Sequence, residues 1–66
     1  MALNYAYAWA EIDPATGMCI GVITTSYVVD NPVFISIPEY NEDYAFKYYI
    51  NGVWYEDAAG TIPFTP

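Results

Sequence analysis

The sequence predicts a small all-β domain, and three of its features support this prediction. Of its 66 residues, 56% are hydrophobic and 20% are aromatic, and residues that favour strands predominate. Five prolines interrupt the chain, and no stretch shows a convincing helical pattern. Two strong turn signals each separate two strand-like stretches. We therefore expect an antiparallel sheet of about five strands, built from two hairpins and assembled as a homo-oligomer.

The first predicted strand, residues 3–12, alternates large and small side chains. The large face carries Leu3, Tyr5, Tyr7, Trp9 and Glu11, and the small face carries Asn4, Ala6, Ala8, Ala10 and Ile12. Because successive side chains of a strand point to opposite faces, we expect the large face to supply the core. The small face would then let another backbone approach closely.

A turn at residues 13–17 leads into the second predicted strand, residues 18–25. Pro14 presets φ for a type I turn, and Gly17 can take the left-handed conformation that closes it. Pairing of residue 13 with residue 18 would place Trp9 opposite Val22. In that register, the close-packing small face consists of Ala8, Ala10 and Gly21.

The middle of the chain predicts a loop, a short strand and an acidic segment. Asp30-Asn31-Pro32 signals the loop turn, and the strand covers residues 33–37 between two prolines. In the acidic segment, residues 39–43, Asn41 is placed to cap one helical turn. The same segment could offer oxygen ligands to calcium, but it lacks the EF-hand pattern, so a solvated loop is favoured.

The second hairpin has the clearest local signal, because Asn51-Gly52 suits the positive φ angles of a type I′ turn. The expected pairs are Ile50 with Val53, Tyr49 with Trp54, Tyr48 with Tyr55, and Lys47 with Glu56. Tyr49 and Trp54 share the face of that ion pair, so we expect them to be partly exposed. Residues 1–57 are predicted to form one β domain, and residues 58–66 an extended C-terminal tail.

Charge and size limit the possible functions. Eight carboxylates against one lysine give a net charge of −7, which disfavours nucleic acid and anionic membrane surfaces. No apolar run approaches the roughly 18 residues of a membrane span. A chain this short buries a small core, and its single cysteine cannot form an internal disulfide. Oligomerisation is the remaining common means of stabilisation.

The sequence gives little indication of a catalytic acid, base or nucleophile. It has no histidine and no arginine, and its serines have no base nearby in sequence. Cys19, opposite Ile12 in the predicted hairpin, is expected to act as a small buried hydrophobe. We expect no enzyme activity, no metal site and no cofactor. The candidate contacts, for a ligand or for another subunit, are the aromatic residues Tyr49, Trp54, Trp9, Tyr5 and Tyr7.

An ordered series of short motifs resembles a known group of phage proteins. The series comprises Glu11-Ile12-Asp13, Cys19-Ile20-Gly21-Val22, Asp30-Asn31-Pro32, Ile35 to Pro38, Tyr40-Asn41-Glu42-Asp43 and Ile50-Asn51-Gly52-Val53-Trp54. Over residues 5–57 the chain resembles small proteins and terminal modules found with tail-fibre genes of siphophages and prophages of Gram-positive bacteria. The resemblance implies a structural part of the virion tail and a homotrimer, with other tail proteins or a cell-surface glycan as further partners.

Two alternatives stay open from the sequence. One is a carbohydrate-binding module that uses Tyr49 and Trp54, since the Asn-Gly hairpin is superficially like that of small chitin-binding modules. The other is an acidic inhibitor or decoy protein. Residues near the start lack the basic region and apolar core of a signal peptide, so we expect synthesis from Met1 in a cytoplasm. The phage resemblance implies that this cytoplasm is bacterial and that the protein is located in the virion.

Overall fold

The computed structural model describes residues 7–66, whose strands form two antiparallel sheets. The elements are β1 (Tyr7–Ile12), β2 (Cys19–Thr25), β3 (Phe34–Ile37), a 3-10 turn (Glu42–Tyr44), β4 (Tyr48–Ile50) and β5 (Val53–Tyr55). One sheet has the order β2-β1-β3, and β4 pairs with β5 in the other. The predicted all-β fold with five antiparallel strands is confirmed, with the strands divided between two sheets.

Backbone hydrogen bonds join the two sheets at the start of β2. The N–H of Cys19 donates to the carbonyl of Lys47 (2.7 Å), and the Cys19 carbonyl accepts from the N–H of Phe46 (2.8 Å). The N–H of Tyr49 donates to the carbonyl of Gly17 (2.9 Å). The second hairpin is therefore hydrogen-bonded to the first at its turn end, and this fixes where its side chains can pack.

The first turn forms as predicted. The N–H of Gly17 donates to the Asp13 carbonyl (2.7 Å), and Gly17 has a φ of +79°, a conformation that glycine adopts without strain. The Asp13 N–H donates to the Met18 carbonyl (2.9 Å), as the expected register requires. The carboxylate of Asp13 also accepts from the N–H of Ala15 (3.0 Å), which further orders the turn.

Beyond the turn, a β-bulge makes the predicted register wrong by one residue. Ile12 pairs with Cys19 but Glu11 pairs with Gly21, so Ile20 is the extra residue. Trp9 consequently lies opposite Ile23 rather than opposite Val22. Residues 19–25 contain no charged residue, so this strand lacks the clear polar–apolar alternation whose shift would reveal the bulge.

The face that carries the core is also opposite to the expectation. Ala8 is 7% exposed and Ala10 is fully buried, so neither is available to another copy of the chain. Gly21 pairs with Glu11 and lies on the other face. The buried cluster consists of Ala8, Ala10, Ile12, Cys19, Ile37 and Tyr44, with Val22, Ile35, Tyr49, Trp54 and Phe64 packed against it.

This arrangement has a simple packing cause. Aromatic side chains from the second half of the chain cover the small face of β1, and alanines leave the room that these rings need. The large face is occupied in part by Trp9, which is 6% exposed. Its Nε1 donates to Oγ1 of Thr25 (2.7 Å), which in turn donates to the carbonyl of Tyr27 (2.6 Å). The loop after β2 therefore lies close to the Trp9 side.

The acidic segment and the second hairpin follow their local signals. Asn41 caps the 3-10 turn by accepting from the N–H of Asp43 (2.9 Å). Asn51 and Gly52 have φ angles of 51° and 83°, and the three expected pairs within β4 and β5 are present. Lys47, however, lies over the Phe64 ring, with its Nζ 5.0 Å from the ring centroid, and not in the expected pair with Glu56.

The C-terminal residues run back along β5. The N–H of Glu56 donates to the Ile62 carbonyl (2.7 Å), and the N–H of Phe64 donates to the Trp54 carbonyl (3.0 Å). The carboxylate of Asp57 accepts from the N–H groups of Thr61 and Ile62, which fixes the preceding turn. Phe64 thereby reaches the core cluster, so the tail belongs to the packed structure.

Enlarging Ala10 tests the assignment of the core face. We expect Ala10→Leu to lower the free energy of unfolding by about 1–3 kcal/mol, because a fully buried site has no room for three more carbons. Ala15→Leu, in the exposed first turn, is the matched control and should change it by less than about 0.5 kcal/mol. Urea unfolding measures both; equal effects would contradict the assignment.

Truncation tests the contribution of the C-terminal segment. A chain ending at Asp57 loses Phe64 and both backbone hydrogen bonds to β5, so we expect a loss of roughly 2–4 kcal/mol of stability. A chain ending at Phe64 keeps these contacts and should unfold at nearly the same urea concentration as the full chain. Identical unfolding midpoints for the full chain and the chain ending at Asp57 would show that packing of the tail does not contribute to stability.

Candidate functional site

The described surface is unusually apolar for so small a chain. Seven hydrophobic residues are buried, namely Ala8, Trp9, Ala10, Ile12, Cys19, Ile37 and Tyr44. Nine large hydrophobic residues are exposed: Tyr7, Ile20, Ile23, Tyr27, Val28, Tyr40, Phe46, Val53 and Ile62. Single exposed hydrophobic residues are ordinary, but here they outnumber the buried ones, and contiguous groups of them mark interaction surfaces.

An apolar groove of about 270 Å³ lies where the first turn, the start of β3 and the second hairpin meet. Its lining consists of Ile12, Pro14, Pro32, Val33, Ile35 and Tyr49. The two prolines come from the two turns, and Tyr49 is held there by its backbone bond to Gly17. None of these side chains is charged, so the groove is suited to one or two apolar side chains of a partner.

The predicted aromatic contacts are separated by the fold. Tyr49 and Trp54 are half-buried, with ring centroids 5.0 Å apart and ring planes inclined by 53°. The Trp54 ring also packs edge-on against Tyr44, at 4.9 Å. A tilted pair of this kind does not present one flat platform to a sugar ring. Of the two residues, Tyr49 is the one that reaches a groove.

The other predicted contacts lie on the opposite side of the three-stranded sheet. Tyr7 is 38% exposed and stacks on Trp9, with centroids 6.1 Å apart and planes inclined by 29°. Trp9 itself is buried, so Tyr7 is the more accessible of the two. Tyr5 lies outside the described residues.

Several exposed residues near β2 were not singled out from the sequence. Ile20 is exposed at the bulge, and Phe46 is exposed nearby, where backbone hydrogen bonds connect the two sheets. Tyr27 and Val28 are exposed just after the end of β2. Their exposure depends on the bulge and on the hydrogen bonds between the two sheets, and no local sequence motif predicts either feature. One sequence feature does indicate this surface: residues 18–29 contain no charged residue, although the chain has a net charge of −7.

The acidic segment borders a depression of about 140 Å³ lined by Pro38, Glu39, Asn41, Tyr44 and Pro66. The hydroxyl of Tyr40 donates to Oε1 of Glu42 (3.1 Å), and this hydrogen bond raises the pKa of Tyr40. Residues 7–66 contain no group of three or more acidic, histidine or cysteine side chains that could hold a metal ion.

Cys19 is fully buried in the core cluster. Burial raises the pKa of its thiol above the ordinary value of 9.0, although the thiol also donates to the Gly21 carbonyl (3.2 Å). A thiol that keeps its proton is a poor nucleophile. The geometry therefore gives Cys19 a packing role.

In the described range, no helix has the length and apolar character needed to cross a membrane. Comparisons of the chain with protein-family models, curated protein sequences and solved structures found no match. The function is therefore inferred from the surfaces of the fold and from the motifs of the sequence.

The buried thiol gives a pH prediction with a definite sign. Because its pKa is higher in the folded than in the unfolded chain, Cys19 contributes stability that is present below about pH 9 and is lost as pH rises further. We expect the difference in unfolding free energy between wild type and Cys19→Ala to shrink as the pH rises above about 9. Urea titrations measure it, and a constant difference would contradict the assignment.

Proposed function

We propose that the protein is a non-catalytic β domain that works by homo-oligomerisation, as an assembly or adhesion module of a phage tail. The observation that carries the proposal is the excess of exposed over buried large hydrophobic residues in residues 7–66. Covering such side chains with a second copy removes apolar area from water, at about 25 cal/mol per Å². Self-association thus supplies the stabilisation that a small core lacks.

The exposed residues are placed for contact between proteins. Tyr27, Val28 and Phe46 are each more than 60% exposed, and all three lie in turns or loops that the strands hold in place. The groove beside Tyr49 offers a second apolar contact. The groove has no charged side chain in its lining, and residues 18–29 carry no charge, so copies with a net charge of −7 can meet there with little direct repulsion.

The phage context comes from the motif resemblance. Two of the motifs that carry it, Asp30-Asn31-Pro32 and Asn51-Gly52, are turns that fix the lengths of the neighbouring strands. The resemblance implies assembly from several copies, which agrees with the apolar surface described above.

Carbohydrate binding through Tyr49 and Trp54 has less support, because the two rings are tilted and Trp54 is packed on Tyr44. A glycan-array measurement on wild type and Trp54→Ala separates the two functions. Glycan binding that disappears in the variant while the oligomer persists would favour the carbohydrate alternative.

The mass of the protein in solution tests the proposal. We expect light scattering after size exclusion, at concentrations of about 10 µM and above, to return a multiple of the 7.4 kDa chain mass. The copy number follows from that mass. A value of one chain at every concentration up to several hundred micromolar would contradict the proposed self-association.

A further inference from the structure

Natural sheets protect free edges with prolines, charges, very short strands, bulges or covering segments. After its bulge at Ile20, the outer edge of β2 has none of these features, unlike the other sheet edges in residues 7–66. β3 has four residues and stands between Pro32 and Pro38, and the segment beside β5 contains Pro63 and Pro66. Residues 20–25, in contrast, contain neither proline nor charge, and five of the six are β-branched.

The backbone groups on this edge can be identified from the ladder. The N–H of Ile12 donates to the Val33 carbonyl, so alternate residues of β1 point toward β3 and the others toward β2. In the observed register, Gly21, Ile23 and Thr25 then point their N–H and C=O groups toward β1. Val22 and Thr24 point theirs outward, and no backbone group in the described part of the chain meets them.

Exposed hydrophobic side chains stand at both ends of this edge. Ile20 (51% exposed) and Phe46 (70%) are at its start, and Tyr27 (65%) and Val28 (63%) follow its end. Phe46 also has a φ of 67°, in the left-handed region, where a bulky residue is strained and glycine is not. A strained position that holds an exposed ring is a reason to look for a contact function.

We propose that β2 pairs antiparallel with β2 of a second copy, across a two-fold axis that passes beside Ile23. In this register, Val22 of each copy exchanges hydrogen bonds with Thr24 of the other, so all four outward N–H and C=O groups of each copy are used. The inference rests on the proposed self-association and specifies its interface. It gives a dimer, and thus departs from the trimer implied by the phage resemblance.

A second copy is the occupant because the edge is self-complementary. Antiparallel pairing brings Ile20 and Phe46 of one copy next to the segment with Tyr27 and Val28 of the other. Gly21, which has no neighbour within 4 Å of a Cβ position, leaves space opposite Thr25 of the second copy. No charge occurs in residues 18–29, so two strongly acidic chains can approach here.

Disulfide crosslinking tests the register directly. In a Cys19→Ala background, Ile23→Cys should form an intermolecular disulfide under mild oxidation, because the two Cα atoms at the axis are about 4.5 Å apart. Thr24→Cys is the matched control: its two Cα atoms are about 8 Å apart, by strand geometry, and should not crosslink. Non-reducing gels at micromolar protein give the result.

Each outcome decides between the two proposals. Crosslinking of Ile23→Cys alone supports the β2 interface. A wild type of oligomeric mass with no crosslink at position 23, or equal crosslinking at positions 23 and 24, overturns the interface and leaves the proposed self-association standing. A monomeric wild type overturns both.

Phe46→Gly separates assembly from folding. Glycine relieves the left-handed strain, so the variant should keep the free energy of unfolding of the monomer while raising the dimer dissociation constant by about tenfold or more. Ile62→Ala, at an exposed site on the C-terminal segment, is the control and should leave dimerisation unchanged. A Phe46→Gly dimer as tight as the wild type would remove Phe46 from the interface.

Discussion

The packing of aromatic rings on the alanine face of β1 is the contact on which the rest of the structure depends. Ala8 and Ala10 leave a shallow surface, and the side chains of Tyr44, Trp54 and their neighbours fill it. Tyr44 is the hub, with edge-on contacts to Trp54 at 4.9 Å and to Phe64 at 5.2 Å. Because large rings need small partners at native packing density, the alternation in β1 selects this face for the core.

That choice of core determines what remains at the surface. Once the hairpin and the C-terminal segment cover the small face, no further layer of the described chain is left to cover the other side of the three-stranded sheet. The loop after β2 reaches Trp9, but Ile23 and Tyr7 stay accessible beside it. The exposed hydrophobic surface is thus a direct consequence of building two sheets from so few residues.

The β-bulge at Ile20 connects the fold to the proposed interface. Before the bulge, β2 pairs with the second hairpin through Cys19; after it, the same edge is open. One extra residue therefore divides a single strand into a part that closes the monomer and a part that is free to pair. Bulges often re-aim strands in this way. The proposed self-association uses both parts, one for the stability of the monomer and one for pairing with a neighbour.

The sequence by itself determined the local structure: the turn at Gly17, the cap at Asn41 and the hairpin at Asn51-Gly52, because each depends on residues a few positions apart. The net negative charge and the high content of aromatic residues were also evident from the sequence alone. Only the tertiary structure decided which face of β1 is buried and that Lys47 meets Phe64, because both depend on where distant segments pack. The position of the bulge was also decided by the tertiary structure, because β2 lacks the clear polar–apolar alternation that a one-residue shift in pairing would interrupt.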